Sequence, residues 1–132
     1  MVNPDIQRIQ HIREHCDRIA QTVNRYGHDF NVFVSDGDYF DSVSMKILQI
    51  GELAGALSEE FREKTKSKMQ WGAIRGMRNL FAHAYASMDK KVIWEVAVQD
   101  IPGLMQFCDS IIEMKPSVLD AIRADRQKTP QG

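Results

Sequence analysis

Near the start of the chain, apolar residues recur at Ile9, Ile12, Cys16, Ile19, Val23 and Tyr26, with spacings of 3, 4, 3, 4 and 3. That period sets them in one stripe along an amphipathic helix. Asn3-Pro4-Asp5 supplies its beginning: asparagine as N-cap, proline at the first helical position and an acid in the first turn. Gly27 stops it. A second stripe runs through Phe40, Val43, Ile47, Ile50, Ala54, Leu57 and Phe61 at spacings of 3, 4, 3, 4, 3 and 4. The matching periods predict two helices packed side by side at a shallow angle. Gly51 and Gly55 lie within the second helix and each costs about 1 kcal/mol of helix propensity relative to alanine. The expected return is close approach of a neighbouring helix.

The segments between and after these stripes read less regularly. Residues 28–38 are predicted as a loop, in which Phe30, Val32, Phe33 and Val34 form at most a short extended piece and Asp36-Gly37-Asp38 a turn. Arg62 to Lys68 is a polar, basic connector. A third helix is predicted from near Gln70 to about Tyr85, and a fourth over 89–99 around Val92, Ile93, Val96 and Ala97. Pro102 kinks or restarts that helix, because proline cannot donate to the helical ladder. The apolar face continues through Ile101, Leu104, Met105, Cys108, Ile111 and Ile112. Lys115-Pro116 breaks it again, Val118, Leu119 and Ile122 mark a short last helix, and Gln127 to Gly132 is expected to fray. The fold class is all-α: an up-and-down bundle of four to five helices. One domain spans residues 1–132, with its core over about 4–125.

Composition narrows the picture. At 132 residues the chain suits one domain with a core. With 43% hydrophobic and 27% charged residues it resembles an ordinary globular protein. Seventeen basic residues against 18 acidic ones leave a net charge of −1, which argues against a general nucleic-acid coat but leaves room for a local basic cleft. Cys16 and Cys108 each fall on an apolar stripe and are expected as buried free thiols. No run approaches the ~18 apolar residues of a membrane span, and Met1-Val2-Asn3-Pro4-Asp5 is not a signal peptide. No membrane association and a cytoplasmic location are therefore expected.

The chemistry concentrates in Arg78-Asn79-Leu80-Phe81-Ala82-His83-Ala84-Tyr85. Arginine is a permanent cation that grips a phosphate with two parallel hydrogen bonds. Histidine titrates nearest neutral pH and can move a proton there. On an ideal helix, Ile74, Met77, Phe81 and Ala84 form the core stripe, and Arg75, Asn79 and His83, each four apart, share another face. Arg78 and Tyr85 lie together beside the apolar stripe, and Arg78 stands about 140° from His83. The arginine wraps round, the helix bends near His83, or Arg78 of one subunit works beside His83 of another; the wheel leaves the three open. The ordinary structural alternatives are a solvated or ion-paired arginine, a hydrogen-bonded core-edge histidine and a half-buried tyrosine. Glu52 either pairs with Arg78 or faces solvent.

From residue 62 to 78 the chain carries Arg62, Lys64, Lys66, Lys68, Arg75 and Arg78 against Glu63 alone. Such side chains neutralise phosphates and dominate sequence-independent affinity for nucleic acid. Arg75, Lys66 and Lys68 are the candidate RNA-binding residues, with Arg75 favoured by the face it shares with His83. No metal or cofactor is expected. His11 and His15 have a zinc-compatible spacing but lack a completing ligand set, Glu14 lying off their face. Asp36 and Asp38 lack the twelve-residue calcium pattern, and there is no Gly-rich phosphate loop.

The segment resembles the R-x4-H-x-Y motif of the HepT-like toxins, a branch of the HEPN superfamily of small helical ribonucleases. The likeness extends over about residues 5–112. Ile50-Gly51-Glu52 is similar to the family's I-G-E segment; Trp71, Ile74, Met77, Arg78 and Asn79 to its run into the motif; Asp89, Val92, Trp94 and Asp100-Ile101-Pro102-Leu104 to its fourth helix. The chain departs from the pattern at Met69-Gln70-Trp71, where a proline often precedes the tryptophan, and at Ala86, where an aromatic often follows the tyrosine.

The resemblance implies a homodimer whose two motifs face each other across an RNA cleft. It implies metal-independent endoribonuclease activity with Arg78 and His83 catalytic and Asn79 supporting, leaving 2′,3′-cyclic phosphate and 5′-hydroxyl ends. It also implies a minimal nucleotidyltransferase antitoxin that transfers AMP from ATP onto Tyr85, so that ATP is the partner's substrate and not a cofactor of this chain. The alternative from another class is a non-catalytic helical dimer that binds a nucleotidyltransferase partner.

Overall fold

The computed structural model describes residues 3–81 and 89–113, apart from the side chain of Leu80. The motif residues His83 and Tyr85, the predicted last helix and the C-terminal end lie outside the described residues. What is described is an all-α bundle. Helix α1 spans Pro4–Arg25, α2 Phe30–Ser35, α3 Gly37–Ala56, α4 Glu59–Thr65, α5 Trp71–Gly76, α6 Lys90–Glu95 and α7 Ile101–Ile112. A 3₁₀ turn over Met77–Phe81 continues α5, and a π-helical stretch over Val96–Asp100 joins α6 to α7.

The first stripe forms as the periodicity predicts. The Asn3 side chain accepts from the Asp5 amide at 2.9 Å and caps α1. Ile9, Ile12, Cys16, Ile19 and Val23 are all buried. Helix α1 packs against both α3 and α7, so its stripe is the middle of the core. Gly27 and His28 both take positive φ, +77° and +54°, which turns the chain off the end of α1.

Two elements differ from the sequence reading. Phe30–Ser35 is a helix, not a loop with an extended piece. Asp29 accepts from the amides of Asn31 and Val32 at 2.8 and 3.3 Å, and this local cap outweighs the β-propensity of two valines. The short helix buries Phe33 against Tyr39, Phe40 and Trp94. The second predicted helix does not run to Phe61 but stops at Ala56, and α4 starts afresh after Ser58. The cause is Asp5, 1% exposed, whose carboxylate accepts from the Ser58 amide at 2.8 Å and from its hydroxyl at 2.6 Å. Ser58 Oγ in turn accepts from the Phe61 amide at 3.1 Å and caps α4. The "connector" at Arg62 to Lys68 is therefore largely helical, since α4 extends to Thr65.

The restart expected at Pro102 occurs: α7 begins at Ile101 with the proline in its first turn. The missing N–H of Pro102 and its ring, which crowds the carbonyl four residues back, are accommodated by the wider π-helical turn just before it.

Asp5→Ala removes both bonds to Ser58 and leaves the α4 cap unsupported, an expected loss of about 1–3 kcal/mol of stability in urea unfolding followed by far-UV circular dichroism. Both cysteines are free and buried. Burial pushes the Cys16 thiol far up and the Cys108 thiol up to about 12, so the reactive thiolates are scarce at pH 8. A chromogenic disulfide reagent at pH 8 is expected to titrate neither thiol in the native protein and both in denaturant.

Candidate active site

The third predicted helix starts at Trp71. Trp71 is anchored at both ends of its side chain: the indole N–H donates to Thr65 Oγ1 at 2.8 Å, and the ring packs edge-on against Phe107 and tilted against Phe61. Ile74 and Met77 continue into the core as the wheel predicts. After Gly76 the backbone tightens, and Met77–Phe81 is a 3₁₀ turn in place of the expected α-helix.

The tightening changes which side chains share a face. At about 120° per residue in the 3₁₀ part, Arg78 comes to about 40° from Arg75, against about 60° on an ideal helix. Asn79 swings to about 80° from Arg75, against about 40°. The structure thus groups Arg75 with Arg78 more closely than Arg75 with Asn79. All three are exposed.

Helix α3 backs this segment. A Cβ added at Gly51 would lie 3.1 Å from the Arg78 amide nitrogen, 3.3 Å from Arg78 Cβ and 3.4 Å from the Ile74 carbonyl oxygen. The close approach expected at the glycines is therefore realised at Gly51. At Gly55 the nearest atom is Arg75 Nε at 3.8 Å, an ordinary contact. Arg62 donates to the carbonyls of Leu57 at 2.7 Å and Gly55 at 3.4 Å, which satisfies open carbonyls at the end of α3 and puts a cation where the helix dipole is negative. Glu52 is exposed, and among the described residues no ion pair joins it to Arg78.

The lysines are divided. Exposed Lys66 forms an ion pair with Glu63 on α4. Lys68 lines a depression of about 440 Å³ between α5 and α7, with Met69, Gln70, Met77, Gln99 and Asp100 also in its lining. Sequence reasoning missed the structural role of Arg62 and this depression. No spacing rule joins Gln70, just before α5, to Gln99 in the π-helical stretch.

His11 Nδ1 lies 3.5 Å from Glu14 Oε2, so Glu14 does reach His11, contrary to its expected placement off that face. Burial, and then the nearby Lys46, hold His15 below the ordinary histidine range. Among the described residues no three His, Cys, Asp or Glu side chains gather in a way that could hold a metal ion, and no helix is long and apolar enough to cross a membrane.

With the geometry in place, comparison with known proteins points one way. Residues 12–111 match the family described as "Ribonuclease HepT-like". The chain is 32% identical over 105 residues to "Putative RNase TTE0752" of Caldanaerobacter subterraneus subsp. tengcongensis, covering 80% of this chain and 91% of that one. It is 27% identical over 86 residues to "Putative RNase MJ1380" of Methanocaldococcus jannaschii, covering 58% and 78%. "Gamma-glutamylcyclotransferase and putative RNase MJ0434" of the same organism is 36% identical over 73 residues, 55% of this chain and 32% of that one. No solved structure matches. A family match across most of the chain, a relative aligned over nearly its whole length and an all-α bundle agree: the chain belongs to the HepT-like ribonuclease family.

Proposed function

We propose that this chain is a cytoplasmic endoribonuclease toxin that cuts RNA without a metal, in a cleft built by two copies. The observation that carries the reading is the pair of exposed arginines, Arg75 and Arg78, carried by one short segment against α3 in a chain of a ribonuclease family. Exposed guanidiniums on a backed turn suit a phosphodiester, which offers two oxygens to a planar donor fork.

In the proposed reaction the ribose 2′-oxygen attacks the adjacent phosphorus. His83 takes the 2′-hydroxyl proton, or its counterpart across the cleft gives a proton to the departing 5′-oxygen. The P–O5′ bond breaks as the P–O2′ bond forms, leaving a 2′,3′-cyclic phosphate and a 5′-hydroxyl. Arg78 stabilises the charge that grows on the non-bridging oxygens. Asn79 supports the imidazole or the phosphate, and Arg75, Lys66 and Lys68 hold flanking phosphates. Of these three, Lys66 must exchange its ion pair with Glu63 for RNA.

Tyr85 is the proposed brake. A nucleotidyltransferase antitoxin transfers AMP from ATP to its hydroxyl: the O–P bond to the α-phosphorus forms as the α–β anhydride bond breaks, pyrophosphate leaves and the phenol proton is lost, and the added phosphate repels and obstructs RNA at the cleft.

Incubated with total RNA in EDTA, wild type is expected to leave cyclic-phosphate ends and His83→Ala to lose about 10²–10⁴ of the rate. Equal cleavage by both would assign the activity elsewhere. Arg78→Lys keeps the charge but not the fork, and is expected to lower kcat by about 10²-fold. With the antitoxin and ATP present, Tyr85→Phe is expected to keep the intact mass of the unmodified chain while wild type gains AMP.

A further inference from the structure

Gly51 is a buried glycine in the interior of α3, where glycine costs about 1 kcal/mol against alanine. The atoms that exclude a side chain there are the Arg78 amide nitrogen at 3.1 Å, Arg78 Cβ at 3.3 Å and the Ile74 carbonyl oxygen at 3.4 Å. None is the free end of a flexible side chain. Two belong to Arg78 itself, at the backbone and at the root of its side chain. A methyl group at position 51 can be accommodated only if the 3₁₀ turn shifts by a few tenths of an ångström or α3 tips away from it. Either movement carries the root of Arg78 with it, and a small rotation there grows along the arginine side chain. Gly55, one turn on, meets only Arg75 Nε at 3.8 Å, so α3 fixes the backbone of Arg78 but merely brushes the flexible part of Arg75.

We propose that Gly51 is a positioning residue for Arg78: its missing side chain sets the place from which the arginine reaches the reacting phosphate. This rests on the reading of Arg78 as the residue that stabilises the transition state. Reactions of this kind are sensitive to misplacement on the ångström scale, at about 10²-fold for 1 Å, so displacement by a fraction of that lowers the rate about tenfold.

The test compares wild type, Gly51→Ala, Arg78→Ala and the double variant in single-turnover cleavage of a short RNA at 20 °C. Gly72→Ala, where an added methyl meets nothing within 4 Å, is the control and should match wild type. Gly51→Ala should cleave about tenfold more slowly with its helical circular dichroism intact. In the Arg78→Ala background the same change should cause no further loss, because its effect passes through the arginine. Free guanidinium, which has no tether, should restore Arg78→Ala and the double variant to the same rate. Multiplicative losses, unequal rescue, an undiminished rate in Gly51→Ala, or loss of its helical signal would each overturn the proposal. Wild-type cleavage by Arg78→Ala would overturn it differently, by removing the catalytic reading beneath it before Gly51 is involved.

Discussion

The structure depends first on burial of one stripe. Ile9, Ile12 and Ile19 of α1 have no exposed surface, and removing each from water contributes about 1.5–3 kcal/mol. Because α1 packs against both α3 and α7, the same stripe orders both neighbours. Helix α3 then provides the face on which α5 and its 3₁₀ turn are laid, and α7 closes the other side through Phe107 against Trp71. Arg78 is thus two packing steps from the core stripe. Its side chain is exposed, yet its backbone is pressed against Gly51 on the buried face of α3. That combination suits a group that must meet solvent and substrate from a defined place.

The positive charge of residues 62–78 divides along the same lines. Arg62 is spent on open carbonyls at the end of α3, Lys64 lies 3.5 Å from Glu60, and Lys66 pairs with Glu63. These contacts hold α4 and its junction. Arg75 and Arg78 stay exposed beside α3, and Lys68 lines the neighbouring depression. A chain with a net charge of −1 can still present a cationic surface to RNA, since the arginines are grouped by the fold and not by overall composition.

The long helices were legible because their burial is one-sided and regular, so the 3–4 period survives in the sequence. Gly51 was legible as a point of close approach. What escaped was governed by single tertiary bonds or by small changes of pitch. The break at Leu57 and Ser58 is invisible in the stripe, because Leu57 and Phe61 stay in phase while Asp5, 53 residues away, redirects the backbone. Helix α2 is too short for periodicity to separate it from a strand, and its formation turns on the Asp29 cap. The 3₁₀ turn at Met77–Phe81 lies where α3 presses on the segment, and no local propensity encodes that contact. The π-helical stretch before Pro102 is the milder case: the proline announced a disturbance, but not that the helix would widen to absorb it.

The central claim is that this segment cleaves RNA by attack of the ribose 2′-oxygen, organised by Arg78 and His83. The most direct measurement is cleavage by the wild-type protein of a short RNA in which the nucleotide 5′ to its mapped cut site carries a single 2′-deoxy substitution. The account predicts that this bond stays intact while the all-ribose RNA is cut there. Cleavage at the deoxy position at an undiminished rate would show that another nucleophile attacks the phosphorus, and would contradict it.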